Sequence, residues 1–172
     1  MPRSRRKHTS GFTLVSLLVA LAIIGLSVAV GGPALWKIGM EIKLKQSARD
    51  LVTIMRSARY KAINEVREYG VRAGYDNRIH LFEGIDPDDV SARKQEIVLP
   101  GGVSVDLING FDTDTNAGWV IFSADGSADN TGQIQLQNAN QHLIEVRLEP
   151  RRTARIRLRT WDIATSAWKE NG

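Results

Sequence analysis

The sequence predicts an α+β fold: one long N-terminal helix, half of it membrane-spanning and half amphipathic, packed on antiparallel β-sheet. Three observations lead there. Residues 8–36 carry no Lys, Arg, Asp or Glu, and they follow the basic run Arg3-Ser4-Arg5-Arg6-Lys7. Leu44, Ala48, Leu51, Met55, Ala58, Ala62 and Val66 then recur at steps of three and four, the period of a helix with one apolar face. After Glu65 the chain breaks into short alternating runs punctuated by Gly, Asn and Asp, the pattern of strands and turns.

The first element is the charge-free run. A helix needs roughly 20 apolar residues to cross a bilayer core of about 30 Å, and Phe12–Trp36 is long enough. The basic cluster would stay on the cytoplasmic side, so everything beyond the run faces outward. A cleavable secretory signal also begins this way, with Ser27-Val28-Ala29 as a small-residue cleavage site, but its apolar region spans only about 7–15 residues. A plain single-span anchor is the stronger rival. Neither explains Gly11-Phe12-Thr13-Leu14, where a lone glycine parts the basic leader from a bulky apolar start.

The second element continues the helix beyond Pro33 as an amphipathic segment. Lys43, Lys45, Arg49, Asp50, Arg56, Arg59 and Lys61 occupy the faces that the apolar stripe leaves, while Met55 and Tyr60 are expected in the core or at its rim. The strands come next. Glu68–Ala73 and Arg78–Phe82 read as a hairpin around Gly74-Tyr75-Asp76-Asn77, and Glu96–Leu99 with Val103–Leu107 as a second pair joined by Pro100-Gly101-Gly102. Trp119–Ser123 and Gln133–Leu136 flank the loop 124–132, and His142–Leu148 with Arg155–Trp161 form the closing pair.

Charge narrows the function classes. The chain carries 23 basic and 19 acidic residues, a net charge of +4, and Arg3, Arg5, Arg6 and Lys7 account for all of that excess. The high isoelectric point therefore belongs to the leader and argues nothing about nucleic acid. Residues 95–146 contain no Lys or Arg, whereas Arg147, Arg151, Arg152, Arg155, Arg157 and Arg159 follow closely. There is no cysteine, hence no disulfide or thiolate chemistry. The length suits one globular domain plus the anchor.

Catalysis finds no support. Outside the leader only His80 and His142 are available, with no zinc-protease spacing, nucleophile elbow or phosphate-binding glycine loop. Asp112-x-Asp114-x-Asn116 has the start of a calcium loop, but Ala117 and Ser123 stand where such a loop needs Gly and Glu. Asp125, Ser127 and Asp129 offer oxygens that a solvated turn explains equally well. No catalytic residue, metal or cofactor is expected.

The run from Lys7 through Gly11-Phe12-Thr13-Leu14-Val15-Ser16 to Gly25 resembles the N-terminus of type IV prepilins and pseudopilins. The resemblance implies cleavage between Gly11 and Phe12 by a membrane prepilin peptidase, N-methylation of Phe12, and a helix whose Pro33 kinks or melts as filaments pack. It departs at Ser16, where the family usually has Glu paired with a neighbouring N-terminal amine. Ser16 removes both the buried charge and its partner, since a hydroxyl can bond to the carbonyl four residues back. Either it is a tolerated small polar residue, or it marks a subunit placed where no such pair forms, such as a filament tip.

Further on, Gly118-Trp119-Val120-Ile121-Phe122-Ser123-Ala124-Asp125-Gly126-Ser127, Gly132–Leu136 and Ile144–Leu148 resemble the GspH/FimT domain of minor pseudopilins, and Gln95–Val103 resembles its earlier strands. The resemblance implies a type IV pilin-like fold. It divides the chain into a leader (1–11), a transmembrane assembly segment (12–35), an amphipathic continuation (36–67) and a periplasmic β-rich domain (68–172). It implies a single-pass protein of the bacterial inner membrane that serves as a minor pseudopilin of a type II secretion system, structural and not enzymatic. Its partners would be other minor and major pseudopilins, the prepilin peptidase, the inner-membrane assembly platform, and secreted cargo or the outer-membrane channel. Recognition would lie on loops such as 112–118 and 123–132. The alternative is a FimT-like minor pilin in pilus assembly or DNA uptake. FimT-type proteins end in a Gly-Arg-x-Arg-like strand, which here reads Ala154-Arg155-Ile156-Arg157. Arg155, Arg157 and Arg159 alternate along one strand and could meet phosphates from one face; equally, they could pair with acidic residues or guard a sheet edge.

Overall fold

A computed structural model describes residues 14–114, 116–162 and 165–171, with side chains for all of these except 30, 31, 33, 34 and 171. The chain divides into two compact units, residues 1–38 and 39–172. Helix α1 runs Leu14–Glu65 and passes position 33 without a break in its helical assignment.

In the first unit, large apolar side chains stand exposed on every face of α1, from Leu14 through Leu17, Leu21 and Ile24 to Val28. Ser27 turns its hydroxyl inward, donating to the Ile23 carbonyl at 2.8 Å, so the surface stays apolar. Among the described residues, no helix is long and apolar enough to cross a membrane. The expected span at 12–35 includes residues and side chains outside the described ones.

The second unit holds ten strands: β1 Tyr69–Gly74, β2 Arg78–Glu83, β3 Arg93–Val98, β4 Val103–Asn109, β5 Asp112–Thr113, β6 Ala117–Phe122, β7 Gly132–Asn138, β8 Leu143–Leu148, β9 Ile156–Asp162 and β10 Ala167–Asn171. They form two antiparallel five-stranded sheets, ordered β3-β2-β1-β6-β5 and β10-β9-β8-β7-β4. This is the α+β arrangement that the sequence predicts. One pairing differs. The segments expected to pair around Pro100-Gly101-Gly102 part company, β3 joining β2 and β4 joining β7. The turn itself forms, with the Val103 N–H donating to the Pro100 carbonyl and Gly102 at φ 87°. That φ is strained for any residue with a side chain, and a Cβ at Gly102 would also require the end of the flexible Met40 side chain to move aside. The turn therefore carries the chain from one sheet to the other.

The core explains the helix stripe. Leu44, Ala48, Leu51, Met55, Ala58 and Ala62 are all buried. Ser47, Val52 and Ile54 are buried beside them, because two sheets contribute to one hydrophobic cluster around the helix. Val71, Leu81 and Phe122 from the first sheet meet Leu136, Ile144 and Val146 from the second in that cluster. Two residues differ from expectation. Val66 lies beyond the helix end with 74% of its surface exposed, and Tyr60 is 69% exposed. β5 and β10 had no sequence signal of their own: β5 is two residues long, and β10 is held by β9 and by an edge-to-face contact of Trp168 on Trp161 at 5.3 Å.

Candidate functional site

The processing and assembly residues lie at the N-terminus. Gly11 and Phe12 fall outside the described residues, as does the side chain of Pro33. Ser16 lies on α1 in its exposed apolar stretch.

The C-terminal arginines are split. Arg157 and Arg159 share one face of β9, opposite Arg147 and Glu145 of β8. The Glu145 side chain is 1% exposed, and its carboxylate is ringed by donors: Arg147 Nε at 3.0 Å, Arg159 Nη1 at 3.4 Å and Gln135 Nε2 at 3.4 Å. Arg147 also donates to Gln133 at 2.6 Å, and Arg157 pairs with Glu170 at 3.5 Å. A buried carboxylate needs such compensation. Arg155 precedes β9, and its exposed side chain has no ion pair or hydrogen bond among the described residues. The strand therefore does not present three equivalent free guanidiniums.

The loops expected to recognise partners are pinned. In 123–132, Arg59 Nε donates to the Gly126 carbonyl at 2.9 Å, the Ala128 N–H donates to the Arg151 backbone carbonyl, and Phe122 bridges to Ala128. Asp125 accepts from the Ser127 N–H and hydroxyl at 2.8 and 2.6 Å, which hold its pKa below the usual carboxylate range. Asp129 is different. Burial raises its pKa, although the N–H groups of Ile121 and Asn130 donate to it. In the other loop, Asp114 accepts from the Asn116 and Ala117 N–H groups at 2.7 and 2.6 Å and from Arg72 at 3.2 Å; those donors, the Asn116 N–H first, lower its pKa. The carboxylates of Asp114, Asp125 and Asp129 are thus turned onto donors of their own loops, of Ile121 and of Arg72, and among the described residues no three metal-ligating side chains gather.

Sequence reasoning missed a groove. It is an open cavity of about 1200 Å³ between the polar stripe of α1 (Glu41, Lys45, Arg49, Thr53, Arg56) and the core-side face of β9, where Ile156 and Leu158 are only half-covered. The helical spacing of the cations was legible, but their position opposite β9 required the fold.

Residues 6–31 match the prokaryotic N-terminal methylation motif, and residues 47–161 match the family described as type II transport protein GspH. The chain belongs to the GspH family. Membership bears out the expected resemblance and, with it, the function of a minor pseudopilin in type II secretion. Solved structures share the fold, two of them as follows. The minor pseudopilin EpsH from the type 2 secretion system of Vibrio cholerae is 15% identical, covers 67% of this chain and 95% of its own, and has a TM-score of 0.52. The type IV minor pilin FimU of Pseudomonas aeruginosa is 11% identical, covers 76% of this chain and 94% of its own, and has a TM-score of 0.55. At these identities both likenesses concern the fold. No curated protein matches the chain.

Proposed function

We propose that this GspH-family chain is a non-catalytic pseudopilus subunit, held in the bacterial inner membrane by a single pass with its C-terminal domain in the periplasm. Residues 1–11 are a leader removed between Gly11 and Phe12 by prepilin peptidase, Phe12 is N-methylated, and 12–35 serve first as membrane anchor and then as assembly segment. Residues 36–67 continue the helix and 68–172 form the periplasmic domain. The observation that carries this reading is the methylation motif at 6–31 leading into a helix that is apolar on every face from Leu14 to Val28. A helix apolar all round needs lipid or other helices about it. The subunit joins other minor and major pseudopilins on the inner-membrane platform, near the filament tip, where Ser16 needs no charged neighbour. Cargo or the outer-membrane channel would meet its sheets and loops. Mass spectrometry of native protein tests the processing step: an N-methylated terminus at Phe12 is expected. Retention of residues 1–11, or a terminus near Val30, overturns it.

The likeness to FimU in fold favours a second reading, a minor pilin of a type IV pilus. Under it Arg155, Arg157 and Arg159 would contact DNA. Gel-shift across a salt series, with Arg155→Ala/Arg157→Ala beside the parent, separates the two readings: binding that is absent, or that ignores the substitutions, removes the DNA role.

A further inference from the structure

We propose that the groove between α1 and β9 docks an acidic, extended polypeptide segment of a partner protein. The groove exists because a sheet of five strands about 4.8 Å apart is wider than one helix about 10 Å across, so a single helix cannot cover it. Ile156, Leu158 and Thr160 point to the core side of β9 beside buried Leu148, Val146 and Ile144, yet all three remain half-exposed. Ile156 and Leu158 form an apolar floor that the described residues leave partly uncovered.

The rim determines what fits. Its carboxylates are already engaged: Glu41 pairs with Lys45 at 2.6 Å, Asp162 pairs with Lys169, and Glu170 pairs with Arg157 at 3.5 Å. Arg49, Arg56 and Arg155 are exposed and have no ion pair or side-chain hydrogen bond among the described residues. The uncompensated charge of the rim is therefore wholly positive. Arg49 and Arg56 are seven residues apart on the helix, about 10.5 Å at 1.5 Å per residue. Carboxylates three residues apart on a chain in the extended polyproline II conformation lie on one face, about 9.3 Å apart at 3.1 Å per residue, which comes close to that separation. A second hollow of about 630 Å³ continues past Arg56 and Arg155 to the exposed Tyr60 and Ile63, lengthening the track. A polypeptide can bury the floor with its apolar side chains and meet the rim with carboxylates. A nucleic-acid duplex offers phosphates to the rim but leaves the floor wet, so polypeptide is favoured. The inference goes beyond membership of a filament, since it concerns one surface and the chemistry of what it holds.

The test uses the full chain in detergent and a fluorescent twelve-residue synthetic peptide with glutamate at every third position between leucine and threonine. Saturable binding is expected, weakened at least tenfold by Arg49→Ser/Arg56→Ser/Arg155→Ser and at least tenfold when glutamine replaces the glutamates. All three substitutions fall on exposed side chains, and circular dichroism verifies that the variant is folded. A photo-crosslinker at Thr53 should label the same peptide and should not label its glutamine form. Absence of saturable binding, binding unchanged in the triple variant, or a DNA duplex bound more tightly than the peptide through the same arginines would overturn the proposal.

Discussion

Val66 holds φ at 52°, a region that costs a β-branched residue about 1–2 kcal/mol. It sits just past the end of α1, where the Arg67 N–H closes the helix on the Ala62 carbonyl at 3.3 Å. Glycine is the usual residue at that position. Val66→Gly should therefore stabilise the fold by about 0.5–1 kcal/mol after the entropy of glycine in the unfolded chain is subtracted, measured as a rise in thermal midpoint. Position 154 has the same character: φ is 40° at a buried alanine. The arginines of β9 also separate at this scale. Arg159→Ala removes a donor from buried Glu145 and should cost about 1–2 kcal/mol. Arg155→Ala should change stability by less than about 0.5 kcal/mol, because its side chain is exposed and away from any such network. Equal losses on denaturant unfolding would refute that division.

At the scale of elements, Gly70 is the point where β1 and β2 can least tolerate change. It lies opposite Phe82, whose fully buried ring occupies the space that a Cβ at Gly70 would fill. Gly70→Ala should cost about 1–3 kcal/mol by displacing that ring, read as a lower denaturant midpoint. The hairpin itself was legible in the sequence because its turn and alternation are local. So was the helix stripe, which failed only at Val66, where periodicity continued past the point at which the backbone turned. The pairing of β3 with β2 and of β4 with β7 was not legible. Two adjacent strands joined by a short turn look like a hairpin whether they pair or cross between sheets, and only the partners decide.

For the whole molecule, the acid response combines opposing groups. Glu83 is held below the usual carboxylate range first by Lys94 and then by Arg67, and Asp114 by backbone N–H groups and Arg72. Each favours the fold above its unfolded pKa, and that stabilisation is lost as pH falls through the lower folded value. Asp129 has the opposite sign: its folded pKa is raised, so its ionised form opposes folding at neutral pH and the opposition disappears once the unfolded carboxyl is also protonated. Asp129→Asn keeps an acceptor for Ile121 and Asn130, and should raise the thermal midpoint at pH 7.5 but not at pH values well below about 4. A gain that is the same at both ends of that range would contradict the assignment. Assembly belongs to this scale too. Ser16→Glu should lower incorporation into filaments and reduce secretion, since it introduces a carboxylate without its partner; unchanged secretion would show that Ser16 says nothing about position in the filament.

The sequence by itself determined the anchor motif, the helical stripe, the turn chemistry and the family, because each depends on residues close together along the chain. Only the tertiary structure decided which strands share a sheet, which arginines are consumed by Glu145 and Glu170, and that β9 overhangs the helix to leave a basic groove. Those outcomes depend on contacts between residues far apart in sequence, where burial and the closest available counter-charge select one arrangement among several that the local pattern permits equally.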